Sequence, residues 1–404
     1  MFKTLAANSF FKRYWPLVVL LVLFAVSVAV RAEQFGIDPV KKNALTHYQV
    51  FNNTDVYLHN NFVLDVYDQY PASEHLFAGY IGGGPYLHHK SLPLTVYTSF
   101  PPTHFVVLYA ALKPFNAVHN FVAWQLFGLA IQLACVLLLF YLVFLLTRNK
   151  WLAVLTASIY IFATGALQFH MNVFWAHQLL QPVFLTSLIV FVRRGGLFKP
   201  WQALLLGLSM SLIAWTGVVA VVGYALYAAF MFYKTRNRAY FSYFWMLGGT
   251  VIALAVIFLQ VLLATGSDPV SYLKAVKGRV TARTATGGLI PFPQVIWNYI
   301  SNLFLEYGGY IILAYTLALR RKLKDFEWAV LFVASFPLLE TILLLEHDTI
   351  YGFGRLKWMV PLALVIALFA NRYIKTRKGK IALIAAVVGV HILHIASYFI
   401  IYWQ

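Results

Sequence analysis

A compact group of cations at positions 274–283 is the first place in this sequence where residue types and spacing could do chemistry. Lys274, Lys277, Arg279 and Arg283 fall within ten residues, and Asp268 is the one acid nearby. Ammonium and guanidinium groups bind anions, and the planar guanidinium contacts two oxygens of a phosphate at once. The group therefore indicates phosphate binding; the alternative is a solvated charged surface or non-specific contact with anionic lipid.

A second ionisable group follows a long apolar run later in the chain. It extends from Glu346 to Lys357 and includes His347, Asp348 and Arg355. Ionisable groups at membrane depth are costly, so a mixed group of acids and cations next to an apolar run is a functional candidate.

The twelve histidines suggest metal binding less strongly. The adjacent pair His88 and His89, and the pair His170 and His177, could ligate a metal ion. None of these pairs has a recognised metal-site spacing, so hydrogen bonding near the membrane surface is the favoured use.

The composition shows which kind of fold must position these groups. Of the 404 residues, 61% are hydrophobic and only 11% are charged, and the mean hydropathy is +0.73. Water-soluble domains average about 25% charged residues, so a soluble enzyme and a disordered chain are both excluded. The only cysteine, Cys135, lies within an apolar run, which excludes a disulfide framework. The sequence predicts an all-α polytopic membrane protein.

About eleven transmembrane helices are expected in a single membrane-embedded domain over residues 1–404. Basic residues precede the first apolar run and no cleavage site follows it, so this run predicts a retained anchor. The expected spans are 16–31, 119–147, 151–168, 173–193, 201–214, 218–233, 241–264, 295–319, 326–345, 357–371 and 381–402.

The distribution of charge predicts the topology. With the N-terminus in the cytoplasm and the C-terminus outside, most Lys and Arg residues are cytoplasmic, together with only two acids, Asp325 and Glu327. This asymmetry follows the positive-inside rule and accounts for the net charge of +18 without a nucleic-acid partner. Two large external loops result, the first at 32–118, with short interfacial helices, and a basic second one at 265–294.

The stretch 97–109 contains Pro101-Pro102 followed by an apolar segment. Proline can open a helix but not continue one, so a helix is predicted from Thr103 to Phe115. This helix is too short to cross about 30 Å of hydrocarbon, so we interpret it as interfacial or re-entrant; a plain junction between a loop and a helix is the alternative.

Three features together resemble the GT-C superfamily of integral-membrane glycosyltransferases. They are a single first span before a long external loop, the element Tyr97-Thr98-Ser99-Phe100-Pro101-Pro102, and a helix pair split at Trp215-Thr216-Gly217. The resemblance implies a GT-C-like fold. It also implies sugar transfer from a polyprenyl-phosphate donor, undecaprenyl or dolichyl, to a glycan, lipid or protein acceptor outside the membrane.

The resemblance also implies roles for particular residues. Glycosyl transfer needs a carboxylate as general base and cations that stabilise the departing phosphate. By position after the first span, Asp38 is the first candidate base, followed by Glu33 and Asp55. The candidates for binding the donor phosphate are Lys277, Arg279, Arg283, Arg355 and Lys357. The candidates for substrate binding are His47, Tyr97, His104, His347 and Asp348.

No cofactor is required by the sequence, although a divalent cation held by Glu346, His347 and Asp348 is consistent with the superfamily. The expected location is a bacterial inner membrane with a periplasmic site, or the corresponding luminal side in a eukaryote. Two alternatives stay open: a lipid-linked saccharide flippase or secondary transporter, and a polysaccharide polymerase or ligase. A transporter would carry ionisable residues near the bilayer midplane, and a polymerase or ligase would have its largest external loop late in the chain.

Overall fold

The structure, a computed structural model, describes residues 2–36, 101, 103–117, 120–172, 175–266, 268–283, 291–319, 323–350 and 352–402. Within these ranges the regular elements are α-helices and short 3-10 turns, with no β-strand. The helices are α1 (Phe2–Val30), α2 (Thr103–Leu112), α3 (Phe121–Thr147), α4 (Lys150–Phe162), α5 (Thr164–Asn172), α6 (Ala176–Arg193), α7 (Pro200–Ile213), α8 (Trp215–Thr235), α9 (Tyr243–Thr265), α10 (Pro269–Arg283), α11 (Phe292–Ala318), α12 (Asp325–Ser335), α13 (Leu339–Leu343), α14 (Leu345–Ile350), α15 (Met359–Tyr373) and α16 (Arg377–Tyr402).

The apolar helices confirm that the protein is an all-α polytopic membrane protein. Among the described residues, seven helical segments are long and apolar enough to cross a membrane, or eight if the pair α4 and α5, bent by 59°, counts as one span. The seven lie at 121–147, 176–193, 215–235, 238–263, 325–343, 354–373 and 377–400. The expected number of eleven is therefore not confirmed.

The difference has a physical origin in three of the expected spans. Helix α7 has 14 residues, which extend about 21 Å at about 1.5 Å per residue and fall short of the hydrocarbon thickness. The apolar part of α1 is the short stretch Tyr14–Val30. Helix α11 has 27 residues, but Asn298, Asn302 and Glu306 interrupt its apolar run.

Helices α7 and α9 approach each other closely through glycines. A Cβ on Gly207 of α7 would collide with the carbonyl oxygen of Met246, and a Cβ on Gly249 of α9 would collide with that of Leu204. Small residues allow backbones to meet in this way where lipid provides no hydrophobic drive between helices. The two helices consequently form one closely packed pair.

Helix α15 lies at the centre of the bundle, with nearly every residue from Met359 to Ala370 buried. Helix α4 is buried from Leu152 to Phe162 and packs against α3 and α15. Helices α9 and α16 are peripheral and expose large apolar side chains, as lipid-facing helices do.

Several helices are interrupted rather than continuous. Helix α7 ends at Ile213, Ala214 is extended (φ −156°, ψ 154°), and α8 begins at Trp215. Helix α12 passes into α13 through a 3-10 turn that contains Pro337, which lacks the amide hydrogen that a continuing helix needs. A further 3-10 turn, Gly352–Trp358, precedes α15. These interruptions shape the site described next.

The predicted helix after Pro101-Pro102 is present and begins at Thr103. A 3-10 turn, Lys113–Phe115, continues it. Most of the predicted external segment 32–118, and residues 284–290 of the segment 265–294, lie outside the described residues.

Candidate functional site

The interruptions of the bundle bring polar side chains to one place. His177, Thr216 and Glu340 are each the second residue of a helix, in α6, α8 and α13 respectively. The turn Gly352–Trp358 packs against α5, α6, α14 and α15 and carries Arg355 and Lys357 to the same place. Where two helices begin next to each other, each can present a polar residue of its first turn to the other. The rest of each helix can then stay apolar.

Arg355 is fixed by two carboxylate bonds and two carbonyl bonds. Its Nε lies 2.9 Å from Oε2 of Glu306, and its Nη2 lies 2.5 Å from Oε1 of the same carboxylate. Its Nη1 donates to the carbonyl oxygens of Asp348 at 2.5 Å and Thr349 at 3.4 Å. Both charged side chains are buried. The guanidinium therefore ties α11 to the end of α14.

Lys357 is shared by two carboxylates. Its Nζ lies 3.1 Å from Oε2 of Glu340 and 2.6 Å from Oδ2 of Asp348. The hydroxyl of Thr341 also donates to Oδ2 of Asp348, at 2.7 Å. One ammonium thus holds α13, α14 and the turn before α15 together.

Glu340 connects this ammonium to the interrupted helices. The hydroxyl of Thr216, just after the break between α7 and α8, donates to Oε2 of Glu340. Nε2 of His177 lies 3.1 Å from the Thr216 hydroxyl and 3.8 Å from the same carboxylate oxygen. Glu340 is therefore in contact with α6, α8 and the turn before α15.

We call these residues the charged cluster. Its charged members are Glu306, Glu340, Asp348, Arg355 and Lys357. Three carboxylates face two cations, so the cluster carries one excess negative charge when the neighbouring histidine is neutral. Buried charges are tolerated where they are paired and hydrogen-bonded. An excess negative charge in such a setting can take up a proton or stabilise a positive charge that develops nearby.

The structure brings together three of the residues singled out from the sequence, Asp348, Arg355 and Lys357. Two others lie elsewhere. Glu33 is exposed in the 3-10 turn Ala32–Gln34. His104 is buried, with Nδ1 3.0 Å from the carbonyl oxygen of Pro101 and its ring centre 5.0 Å from that of Trp175.

Lys277, Arg279 and Arg283 lie in α10, where Lys277 is exposed. Asp268 caps this helix: its Oδ1 accepts from the amides of Val270 at 2.9 Å and Ser271 at 3.0 Å. Hydrogen bonds from Ser271 hold the pKa of the Asp268 carboxyl below its usual range. Helix α10 packs against α9 and α14, so the basic helix is next to the element that carries Asp348.

The remaining candidates cannot be joined to this arrangement. Asp38, His47, Asp55 and Tyr97 lie outside the described residues, and their roles stay predictions. His347 falls within α14. Over the described ranges, no group of three or more His, Cys, Asp or Glu residues is arranged to hold a metal ion.

Four residues of interest were not proposed as site residues from the sequence: Thr216, Glu306, Glu340 and Arg31. The two glutamates carry a signal, because an ionisable residue inside an apolar run requires a partner. Arg31 carries a weaker signal, because a cation at the end of a span is common. Burial lowers the pKa of Arg31 to about 10.

The fold can be compared with known structures once this geometry is established. No family model and no curated protein matches the sequence. The structure is similar to the apo crystal structure of the Archaeoglobus fulgidus oligosaccharyltransferase, with a TM-score of 0.55 and 15% identity, over 96% of this chain and 56% of that one. The archaeal oligosaccharyltransferase AglB from the same organism, in complex with an inhibitory peptide and a dolichol-phosphate, aligns with a TM-score of 0.49 and 14% identity over the same shares.

This chain thus spans little more than half the length of the enzyme that it resembles. The likeness extends over nearly all of this chain, and its fold is the GT-C fold. The fold expected from the sequence resemblance is confirmed.

Proposed function

We propose that this protein is a glycosyltransferase that moves a sugar from a polyprenyl-phosphate donor to an acceptor on the external face of a membrane. The observation that carries the proposal is the GT-C fold over 96% of the chain. The protein's many apolar helices fit a donor whose prenyl tail is embedded in lipid. We further propose a bacterial inner membrane with the active site on the periplasmic side.

The charged cluster supports this proposal through its position and its charge. It fixes α14 to the turn before α15, and the basic helix α10 packs against α14. Sugar transfer passes through a transition state with positive charge on the sugar, and an excess of buried carboxylate favours such charge. We assign the cluster a positioning and electrostatic role and keep Asp38, Glu33 and Asp55 as the candidate general bases.

The direct test is transfer of radiolabelled sugar from a panel of polyprenyl-phosphate sugars by the purified protein in nanodiscs. We expect one donor to be consumed and to label a membrane-bound or added acceptor. Consumption of none of the donors, by a protein that remains folded, would contradict the proposal.

The candidate bases are tested in the same assay. Asp38→Asn should lower transfer by about 10²-fold or more, because general-base catalysis contributes about 10²–10⁴-fold, and donor binding should be nearly unchanged. Asp325→Asn is the matched control, because the Asp325 carboxylate is exposed and pairs with the exposed Lys234, 3.6 Å away. Turnover at the wild-type rate in Asp38→Asn would transfer the role to Glu33 or Asp55.

A second candidate function, a lipid-linked saccharide flippase or transporter, is favoured by one observation. His391 and His394, near the middle of α16, are buried in a polar network with α4, α5 and α11. Nε2 of His391 lies 2.8 Å from the Ser158 hydroxyl, and Nδ1 lies 2.6 Å from the Tyr310 hydroxyl. Nδ1 of His394 lies 2.9 Å from the hydroxyl of Thr164, at the bend between α4 and α5.

Buried ionisable groups at a helix bend are typical of transport pathways. Translocation of a fluorescent lipid-linked saccharide in proteoliposomes separates the two functions. Translocation without sugar transfer, lost in His391→Phe, would favour the transporter. Transfer that survives this substitution would favour the enzyme.

A further inference from the structure

Arg31, immediately after α1, is a fully buried cation with uncharged partners. Its side chain has 0% exposure. Nε donates to the carbonyl oxygen of Ser27 at 2.9 Å, and Nη2 donates to the Ser27 hydroxyl at 3.0 Å. Nη1 donates to the carbonyl oxygen of Leu167, in α5, at 3.3 Å. All three acceptors are neutral.

The other buried cations of the described chain are paired differently. Arg355 and Lys357 each contact carboxylate oxygens at 3.1 Å or less. Arg372, which is partly buried, lies 2.5 Å from a carboxylate oxygen of Glu327. No carboxylate in the described ranges bonds to Arg31. A buried charge without a counter-ion is strongly unfavourable, so the site calls for an anion.

The guanidinium retains both its charge and part of its bonding capacity. Burial lowers the pKa of Arg31 to about 10, which leaves it protonated at neutral pH. Three of the five N–H groups donate to the acceptors named above. The other two, one on each terminal nitrogen, find no acceptor among the described residues. A pair of N–H groups on the two terminal nitrogens matches two oxygens of one phosphate.

The location of Arg31 indicates what carries the anion. The residue follows the apolar stretch Tyr14–Val30, so it lies where a span ends and lipid headgroups begin. The ionisable groups that interact electrostatically with Arg31 are Tyr398 and His170, and neither is a carboxylate. Glu33 is exposed. An anion attached to an apolar chain could keep that chain in the hydrocarbon while its charge meets Arg31.

We infer that Arg31 is the centre of a binding site for the phosphate group of a lipid, which its two terminal nitrogens contact. A membrane phospholipid and a polyprenyl phosphate both carry this group. In naming the polyprenyl phosphate, the inference rests on the proposed function. The site is distinct from the charged cluster, whose two cations are occupied by carboxylates.

The test measures lipid binding to the full chain in detergent by native mass spectrometry, with three probes. Undecaprenyl phosphate and phosphatidylglycerol carry the phosphate, and undecaprenol lacks it. Arg31→Gln should weaken phosphate-lipid binding by about tenfold or more, because it removes the charge and the paired N–H donors that contact the phosphate. Arg31→Lys keeps the charge and should weaken binding less. Arg372→Gln removes a carboxylate-paired cation and should leave binding unchanged.

The probes distinguish the two sources. If Arg31→Gln weakens the binding of undecaprenyl phosphate alone, the site belongs to the prenyl lipid. If it weakens the binding of both phosphate lipids equally, the site recognises lipid phosphate in general. Wild-type affinity of Arg31→Gln for both would overturn the inference and identify Arg31 as a structural tie between α1 and α5.

Two further outcomes are covered by the same design. If Arg31→Gln does not fold, the wild-type protein should melt at a higher temperature with undecaprenyl phosphate or phosphatidylglycerol than with undecaprenol; no such difference would overturn the inference. Phosphate-lipid binding that depends on Arg31, in a protein that transfers no sugar, would contradict the proposed function and support this site.

Discussion

The charged cluster and helix α10 contain the same basic residue types in opposite surroundings. In the cluster, Arg355 and Lys357 are buried and contact carboxylates. In α10, Lys274 and Lys277 are exposed. Apolar surroundings make an unpaired cation costly, while water and headgroups solvate it. The comparison teaches that a buried cation paired with carboxylates stabilises the fold, whereas an exposed cation remains available to a ligand.

The strongest test of this contrast breaks the ion pair between Arg355 and Glu306. Arg355→Gln should lower the free energy of unfolding by about 3–5 kcal/mol, because it leaves the Glu306 carboxylate buried without its cation. Chemical unfolding in detergent micelles measures the loss. In a double-mutant cycle, Glu306→Gln in the Arg355→Gln background should recover part of it. Additive losses would show that the two groups do not stabilise each other.

Lys357→Met should have the next largest effect, a loss of about 3 kcal/mol, because Glu340 and Asp348 then repel each other without the shared ammonium. The hydroxyls of Thr216 and Thr341 still donate to these carboxylates and limit the loss. Glu340→Gln added to Lys357→Met should restore part of the stability in the same unfolding experiment. A double variant less stable than Lys357→Met would contradict the shared pairing.

Exposed cations should behave in the opposite way. Lys274→Gln with Lys277→Gln should change the free energy of unfolding by only about 0.5 kcal/mol, because exposed charges stabilise little. The same variant should bind phosphate-bearing donor more weakly, and added salt should reduce the difference from wild type. An equal donor affinity at low salt would remove these lysines from donor binding.

The smallest expected effect concerns the start of α10. Asp268→Ala should increase amide hydrogen exchange in residues 270–273, because the cap that accepts from Val270 and Ser271 is lost. The pKa of Asp268 is held below its usual range, so the cap is intact above the ordinary carboxyl range and lost as pH falls through the lowered pKa. Asp268→Asn keeps an accepting oxygen and should exchange nearly as the wild type, without this pH dependence.

Much of the helical architecture was predictable from local sequence. Pro101-Pro102 correctly predicts a helix start at Thr103. The break expected at Trp215-Thr216-Gly217 lies one residue earlier, at the extended Ala214, and residues 215–217 are already helical. The number of spans was less predictable. It depends on helix length and on polar residues within α11, which a scan for apolar runs does not weigh against the thickness of the membrane.

The pairing within the site could not be derived from the sequence. Glu306 and Arg355 are 49 residues apart, and Glu340 and Lys357 are 17 apart. Their contacts therefore depend on how α11, α13 and the turn before α15 meet. The sequence identified Arg355, Lys357 and Asp348 as important but gave no means of knowing that the cations are bound to carboxylates. The candidate bases Asp38 and Asp55 remain predictions.

The central position of α15 sets how the protein can vary. In a helix enclosed on all sides, a larger or smaller side chain disturbs the packing at every position. Substitutions should thus be rejected at nearly every position from Met359 to Ala370, while the lipid-facing positions of α9 and α16 exchange one apolar residue for another freely. In evolution, the sequence of this central helix should therefore change far more slowly than that of the helices at the periphery.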